Sequence, residues 1–394
     1  MDNKIYTDFY LHKDHKILHC CDPVSAFLQY PNFRLNLLTG ERSSHSAYEF
    51  LDSLTLFKMK DEFSTPKVIH LFYEFGYICH HLDELIDENK PLAIFIDYEE
   101  AHLEEISAIS TKPLEFIPLA HISLQDYKNK FEKAYDHLLK GNCYQLNLTM
   151  PFYFRFKEKV SPREFMQSLW CDPLKVGAYA HGTYIEAMDK LFFSNSPECL
   201  FQVRGGKIRT MPIKGTAKVE NELERDEVWQ ELVNSKKDES ELYMIIDLMR
   251  NDLTKIELEP AVVKHKKLPL HVPGLVHQFS IIESKLSDNT NLAQVLKALF
   301  PGGSITGAPK KKVIELTNKI ESYTRGQYCG STIFLYEHVK TASINIRSAE
   351  VNYAEDEIKY GAGGGVTLLS NAEDEYIEAL DKLKSFLLLF QRKE

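Results

Sequence analysis

The sequence has no excess of basic charge, no cysteines paired as Cys-x-x-Cys, and no apolar run long enough to cross a bilayer. Its 394 residues carry 47 lysines and arginines against 57 aspartates and glutamates, a formal net charge of −10. Nucleic acid is therefore not an expected partner, because phosphate binding rests on basic clusters. The cysteines at 20, 21, 79, 143, 171, 199 and 329 are odd in number and scattered. Such spacing points to reduced thiols in a cytosol and offers neither a disulfide framework nor a zinc site. The polar N-terminal stretch MDNKIYTDFYLHKD lacks the apolar core of a signal peptide, and residues 386–390 are far too few to span a membrane. A cytoplasmic protein with no membrane partner is expected. Repeats, low-complexity tracts and long Gly/Ser linkers are missing too. With 44% hydrophobic residues, the chain has ample material for a large core.

Local patterns divide the chain into 1–115, an N-terminal α/β subdomain, and 116–394. The first part alternates short strand-like runs (68–73, 92–98) with loops, and 110–118 reads as a connection. Residues 123–140 then predict an amphipathic helix: Ser123 suits the N-cap, Tyr127, Phe131, Tyr135 and Leu138 follow helical spacing, and Gly141 suits C′. Residues 143–156 alternate as a strand. Tyr144, Leu146 and Leu148 share one face, and Gln145, Asn147 and Thr149 share the other, which either lines a pocket or meets solvent. Strands over 192–207 lead into MPIKGT at 211–216. Helices follow at 222–233, at 238–253 with the stripe Leu242, Ile245, Ile246 and Met249, and at 292–299. Another begins with Pro309 at the first helical position. Strands at 331–335 and 342–348 precede a closing helix at 373–390. Strands and helices mix without regular βαβ alternation, which predicts an α+β fold of large antiparallel or mixed sheets flanked by helices.

Several groups of residues suggest chemistry. Lys214 is predicted in a tight Pro-x-Lys-Gly-Thr turn, where Pro212 sets φ and Gly215 allows close backbone approach to a ligand. A desolvated lysine there can lose its proton and act as a nucleophile; the plain alternative is a solvated surface lysine. Glu375 and Glu378 are spaced i, i+3 on the closing helix, and Glu241 lies just above the apolar stripe of another. Hard oxygens from two helices suit Mg²⁺, although a solvated helix face presents the same pattern. The segment PGGSITGAPK (301–310) is a glycine-rich loop entering a helix, whose free N–H groups can bind an anion; the alternative is a simple loop. It is not a Walker A loop, because Ala308 and Pro309 follow Gly307. Lys310 to Lys312 oppose the helix dipole unless an anion lies near. GAGGGV (361–366) fails as a dinucleotide fingerprint: its sixth position is Val366 and no helix opens there. Its small residues imply close approach to something bound, or a bulge or sheet crossing. Arg347 ends SINIR, where Ser343, Asn345 and Arg347 would share one face; the guanidinium either forks onto a carboxylate or is a plain surface or edge residue. Glu198 and His277 are single titratable residues beside apolar runs.

Together these segments resemble the chorismate-binding enzyme family, which includes anthranilate synthase component I, the isochorismate and salicylate synthases, and an aminodeoxychorismate-forming branch. The resemblance is carried by GNCYQLNL from Gly141, NSPE from Asn195, MPIKGT from Met211, DLMRNDL from Asp247, FPGGSITGAPK from Phe300, SINIRSA from Ser343 and AEDEYIEALDK from Ala372. The N-terminal third resembles the family loosely and is shorter than usual. PIKGT is similar to the aminodeoxychorismate-forming branch, whereas anthranilate synthases generally carry alanine at Lys214. Gln145 stands where isochorismate and salicylate synthases carry a water-activating lysine. Anthranilate synthase component I is the alternative, followed by a non-catalytic chorismate- or amino-acid-binding subunit.

The resemblance implies amination of chorismate by ammonia to 4-amino-4-deoxychorismate, for p-aminobenzoate and folate biosynthesis. It implies Lys214, Glu198 and His277 as the catalytic set, with Lys214 attacking C2 and Glu198 protonating the departing C4 hydroxyl. Mg²⁺ would lie on Glu241, Glu375 and Glu378. Gly215, Thr216 and Lys382 would contact the ring carboxylate; Arg347, Tyr328 and the Gly363–Gly365 backbone would hold the enolpyruvyl end; Thr306 and His277 would line the pocket. The implied partners are a glutaminase subunit supplying ammonia and, later in the pathway, an aminodeoxychorismate lyase. The chain departs from the family at Asn142, at Thr254 and Lys255, and at residues 367–370.

Overall fold

A computed structural model describes residues 4–106, 113–219, 221–257, 259–272 and 275–391. For residues 216, 222, 237, 238, 240, 271, 272 and 275 it describes the backbone alone. The predicted connection at 110–118 lies partly outside these residues.

One long curled sheet organises the chain. From one edge the strands run Phe116–His121, Gln145–Phe156, Glu357–Val366, Ser348–Asn352, Lys190–Ser196, Tyr179–Ile185, Ile5–Leu11, Lys16–Gln29, Ala93–Glu105 and Phe63–Leu71. The series continues through Ser331–Glu337, Val339–Ile344, Cys199–Arg204, Lys207–Met211, Leu275–Lys285 and Val262–Val272. All these pairings are antiparallel, and helices cover the sheet, as an α+β fold of this kind requires. Residues 1–115 contribute to the same sheet as 116–394. Ile5–Leu11 pairs with Tyr179–Ile185, Phe63–Leu71 pairs with Ser331–Glu337, and one apolar cluster runs from Ala47 to Ile344. Among the described residues no helix is long and apolar enough to cross a membrane.

Local chemistry explains the helices. Leu124–Leu139 starts where Ser123 accepts from the Asp126 N–H, and buries Tyr127, Phe131, Ala134 and Leu138. Gly141 follows with φ +71°. Lys236–Thr254 buries Leu242, Ile245, Ile246 and Met249, the predicted stripe. Ala372–Leu388 is capped by Asn371, which accepts from Glu373 and Asp374.

Several expectations are corrected. MPIKGT is no tight turn: Lys207–Met211 and Ile213–Lys218 both pair with Leu275–Lys285, with a register shift between Ile213 and Thr216. Gly215, at φ +86°, accommodates that irregularity, and such a bulge re-aims the neighbouring side chain. SINIR is no continuous strand. It leaves the ladder after Ile344 because Asn345 bonds instead to Cys329 and Gly330 backbone and to the Ser343 and Thr332 hydroxyls; Arg347 then turns at φ +53°. Arg347 therefore does not share a strand face with Ser343 and Asn345. Pro309 is the N-cap of Lys310–Glu321, one position before the expected one. Tyr144 precedes its strand and is exposed, while Gln145, Asn147 and Thr149 are buried. GAGGGV lies within Glu357–Val366, packed against Gln145–Phe156.

That packing needs glycine. A Cβ on Gly363 would stand 2.2 Å from the Leu148 carbonyl oxygen and 2.6 Å from Thr149 Cα, both backbone atoms that have no rotamer to yield. Gly363→Ala is expected to destabilise the fold by about 1–3 kcal/mol through overpacking. An unchanged urea midpoint would contradict this strand pairing.

Candidate active site

The site assembles where the bulged strand, two helices and the glycine strand meet. Lys214, on the bulge, points its Nζ to Glu241 Oε2 at 2.9 Å, from the helix Lys236–Thr254. Both side chains are about a quarter exposed, at 25% and 28%. The sequence placed these two residues in different roles; here they form one ion pair.

Glu198 lies at the end of a short crossing between Lys190–Ser196 and Cys199–Arg204. Its N–H donates to Ser196 Oγ and its carbonyl accepts from the Ile344 N–H, so the backbone is held from both sides. The carboxyl is buried, and Oε1 makes no hydrogen bond. Burial pushes its pKa up to about 7, against the opposing pull of the Ser304 hydroxyl and the Lys214 charge. A carboxylic acid poised there is suited to protonate a leaving oxygen near neutrality. Ser304 escaped sequence reasoning, since nothing marks one serine in a glycine-rich segment.

Across from Lys214, the helix Ala372–Leu388 presents Glu375 and Glu378 to Gly364. A Cβ on Gly364 would lie 2.6 Å from Glu375 Oε2 and 3.6 Å from Glu378 Oε1. Burial raises the Glu375 pKa; a Ser370 hydrogen bond lowers it, the Glu378 charge adds to the rise, and Lys382 and Lys214 oppose it. Lys382 donates to the Gly363 carbonyl oxygen at 2.6 Å and pairs with Glu378 at 2.6 Å. Lys214 is thus in electrostatic reach of Glu198, Glu241 and Glu375 together.

His277 lies directly opposite Thr216 in the ladder. Burial and the Arg347 charge push its pKa down to about 4, so its imidazole is neutral at physiological pH. A neutral ring can accept or relay a proton but carries no charge to an anion. Arg347 is exposed, and its charge also reaches Tyr360. Tyr328 is buried with its ring against Gly361. Thr306 is buried and donates its hydroxyl to the Gly302 carbonyl oxygen at 2.8 Å. Gly365 stands against the Gln145 amide, where a Cβ would come within 2.2 Å of Nε2. The Thr216 side chain lies outside the described residues.

Two buried ion pairs support the site, and the sequence had marked only Lys310 among their members. Lys310 is buried, pairs with Asp252 at 2.8 Å and donates to the Leu299 carbonyl, so Asp252 is the anion that offsets the cation at that helix start. This pair ties the glycine-rich segment to the helix that carries Glu241. Arg325 is fully buried, bonded to Glu321, to the Asn147 and Ile305 carbonyls, and capped by the Tyr73 ring. Its spacing from Glu321 is helical, but a turn separates them from anything that signals burial.

The donor chemistry fits Mg²⁺: three carboxylates from two helices, one of them part-buried beside a like charge that a divalent cation would relieve. Their oxygens do not all lie within 4.8 Å of one another; Lys214 and Lys382 each hold one carboxylate.

A curled antiparallel sheet and a glycine strand bring a carboxylate–lysine cluster together at their meeting point, an arrangement of a recognisable class. A profile described as chorismate binding enzyme matches residues 47–388. Aminodeoxychorismate synthase component 1 of Salmonella typhimurium is 32% identical over 77% of this chain and 67% of its own length. The Klebsiella aerogenes protein of the same name is 34% identical over 68% of this chain, which spans only 58% of that relative. Anthranilate synthase component I from Streptococcus pneumoniae has the same fold, with a TM-score of 0.76 at 20% identity over 98% of this chain and 93% of its own. The chain belongs to the chorismate-binding enzyme family.

The Glu198 environment has a consequence for stability. Between the ordinary value of 4.5 and about 7, the folded chain holds more protons at this site than the unfolded chain, so stability falls as pH rises through that window. Glu198→Gln stays neutral throughout. It is expected to exceed the wild type by roughly 3 kcal/mol above pH 7 and to match it near pH 4. Parallel pH profiles of the urea midpoint would refute the burial argument.

Proposed function

We propose that this chain aminates chorismate with ammonia, forming 4-amino-4-deoxychorismate for p-aminobenzoate and folate biosynthesis. The observation that carries the reading is Lys214, set among Glu198, Glu241 and Glu375 at the meeting point of the glycine strand and two helices. In this reading Lys214 adds to C2 as the ring double bonds shift and the C4–O bond breaks. Glu198 donates its proton to the departing oxygen, which leaves as water. Ammonia then adds at C4, the double bonds shift back and the C2–N bond to Lys214 breaks. Chorismate and ammonia thus give aminodeoxychorismate and water.

Glu241, Glu375 and Glu378 would hold Mg²⁺, which supplies positive charge to the ring carboxylate of a dianionic substrate. Attack requires the neutral amine of Lys214, which desolvation by bound substrate would favour. Lys382 and Gly215 flank the ring carboxylate; Arg347, Tyr328 and the Gly363–Gly365 backbone take the enolpyruvyl end; Thr306 and neutral His277 line the pocket. A glutaminase subunit is the proposed ammonia source, in keeping with the "component 1" names of the relatives, and a lyase would consume the product.

Anthranilate formation is the second reading, favoured by a Saccharolobus solfataricus anthranilate synthase component 1 that is 31% identical over 66% of this chain. The lysine at 214 argues for the first, and the product decides: anthranilate fluoresces without a lyase.

With ammonium and chorismate, Lys214→Ala is expected to lose aminodeoxychorismate formation, and release of anthranilate instead would support the placement. Undiminished aminodeoxychorismate output would defeat covalent catalysis by Lys214. Glu198→Gln is expected to lower turnover by about 10²–10⁴-fold. Gly364→Ala should fold normally, because only the flexible end of Glu375 must yield, yet lose most turnover. A fully active Gly364→Ala would remove Glu375 from the site.

A further inference from the structure

We propose that His19, His102 and Glu104 form a Zn²⁺ site on the paired strands Lys16–Gln29 and Ala93–Glu105, apart from the residues around Lys214. The sheet register builds it. Asp8 stands directly opposite His19, and His19 directly opposite His102, so the three form a row across Ile5–Leu11, Lys16–Gln29 and Ala93–Glu105. Directly opposed residues project to the same face.

Asp8 is buried, and its Oδ1 accepts from His19 Nδ1 at 2.5 Å. That bond sets the tautomer: Nδ1 carries the hydrogen, and the Nε2 lone pair is free for a metal. Carboxylate-backed imidazoles are the usual support of zinc-ligating histidines. The His19 and His102 rings lie 5.2 Å apart. His102 Nε2 is 3.2 Å from Glu104 Oε1. One ligand atom from each of His19, His102 and Glu104 falls within 4.8 Å of the others. Two imidazoles and a carboxylate make an N₂O set that zinc accepts, with water completing the shell.

Other groups at this face are consistent with one ion. Arg163 holds the second oxygen of Glu104 at 2.5 Å and leaves Oε1 turned to His102. The Cys21 thiol and Glu100 approach the opposite edge of the His102 ring, with Sγ 3.9 Å from Nδ1, so they cannot share an ion bound through Nε2. Burial of His19 against Asp8 explains that pair as structure alone, but it does not explain why the more exposed His102 and Glu104 converge on the same point. A metal there would tie three strands together.

The test is calorimetric titration of the 394-residue chain with Zn²⁺ in excess Mg²⁺, paired with thermal melts. The expected result is one strongly bound Zn²⁺ and a higher Tm in its presence. His102 is half exposed, so His102→Ala should fold as the wild type does. It should weaken zinc binding by at least about tenfold and abolish the Tm rise, as should Glu104→Gln. Cys21→Ser should leave the affinity unchanged. Absence of zinc binding in the wild type, or binding that survives His102→Ala, overturns the assignment. So does loss of binding in Cys21→Ser, which would move the ion to the other edge of the ring.

Discussion

The balance of charge around Lys214 is the constraint on which the site depends. One ammonium pairs with Glu241 at 2.9 Å and is felt by the buried carboxyl of Glu198 and the half-buried one of Glu375. Neither of these two acids has a full cation of its own, and burial, full for Glu198 and partial for Glu375, holds each toward its neutral form. A site of this kind can pass a proton through Glu198 with small movements, because burial has brought that acid to about neutrality. Lys382 repeats the theme on the far side, bridging Glu378 and the Gly363 carbonyl.

The scaffold makes that balance possible through backbone proximity. The glycines of Glu357–Val366 let the strand lie against Gln145–Phe156 on one side and the carboxylates of the closing helix on the other. The bulge at Gly215 turns Lys214 toward the helix of Glu241. The buried Asp252–Lys310 pair locks that helix to the glycine-rich segment bearing Ser304 and Thr306. Removing one partner of such a pair leaves an uncompensated buried charge, so it acts as a brace even where its net worth is small. The family's chemistry and the fold's mechanics therefore meet in the same few segments.

Helices and most strands were legible in the residues. The stripe of Leu242, Ile245, Ile246 and Met249, the Ser123 cap and the closing helix all follow from periodicity and capping, which are local effects. The errors came where tertiary contacts override local preference. Pro212 and Gly215 read as a turn but serve a bulged strand, because Leu275–Lys285 offers both halves a ladder. Asn345 reads as a strand residue but is captured by Thr332 and the Cys329–Gly330 backbone. Cysteine spacing spoke against zinc, and it is histidines facing each other across strands that form the proposed site.

Residue types and their short-range order were enough to name the candidate acid, lysine and carboxylates, since those identities are chemical and need no coordinates. Which of them touch was settled only by folding. Lys214 and Glu241 are separated by 27 positions, and Glu375 comes from the last helix. Their distances depend on how an antiparallel sheet curls and where two helices settle on it. The protonation of Glu198 likewise rests on burial, a property of the packed whole that no local stretch of chain encodes.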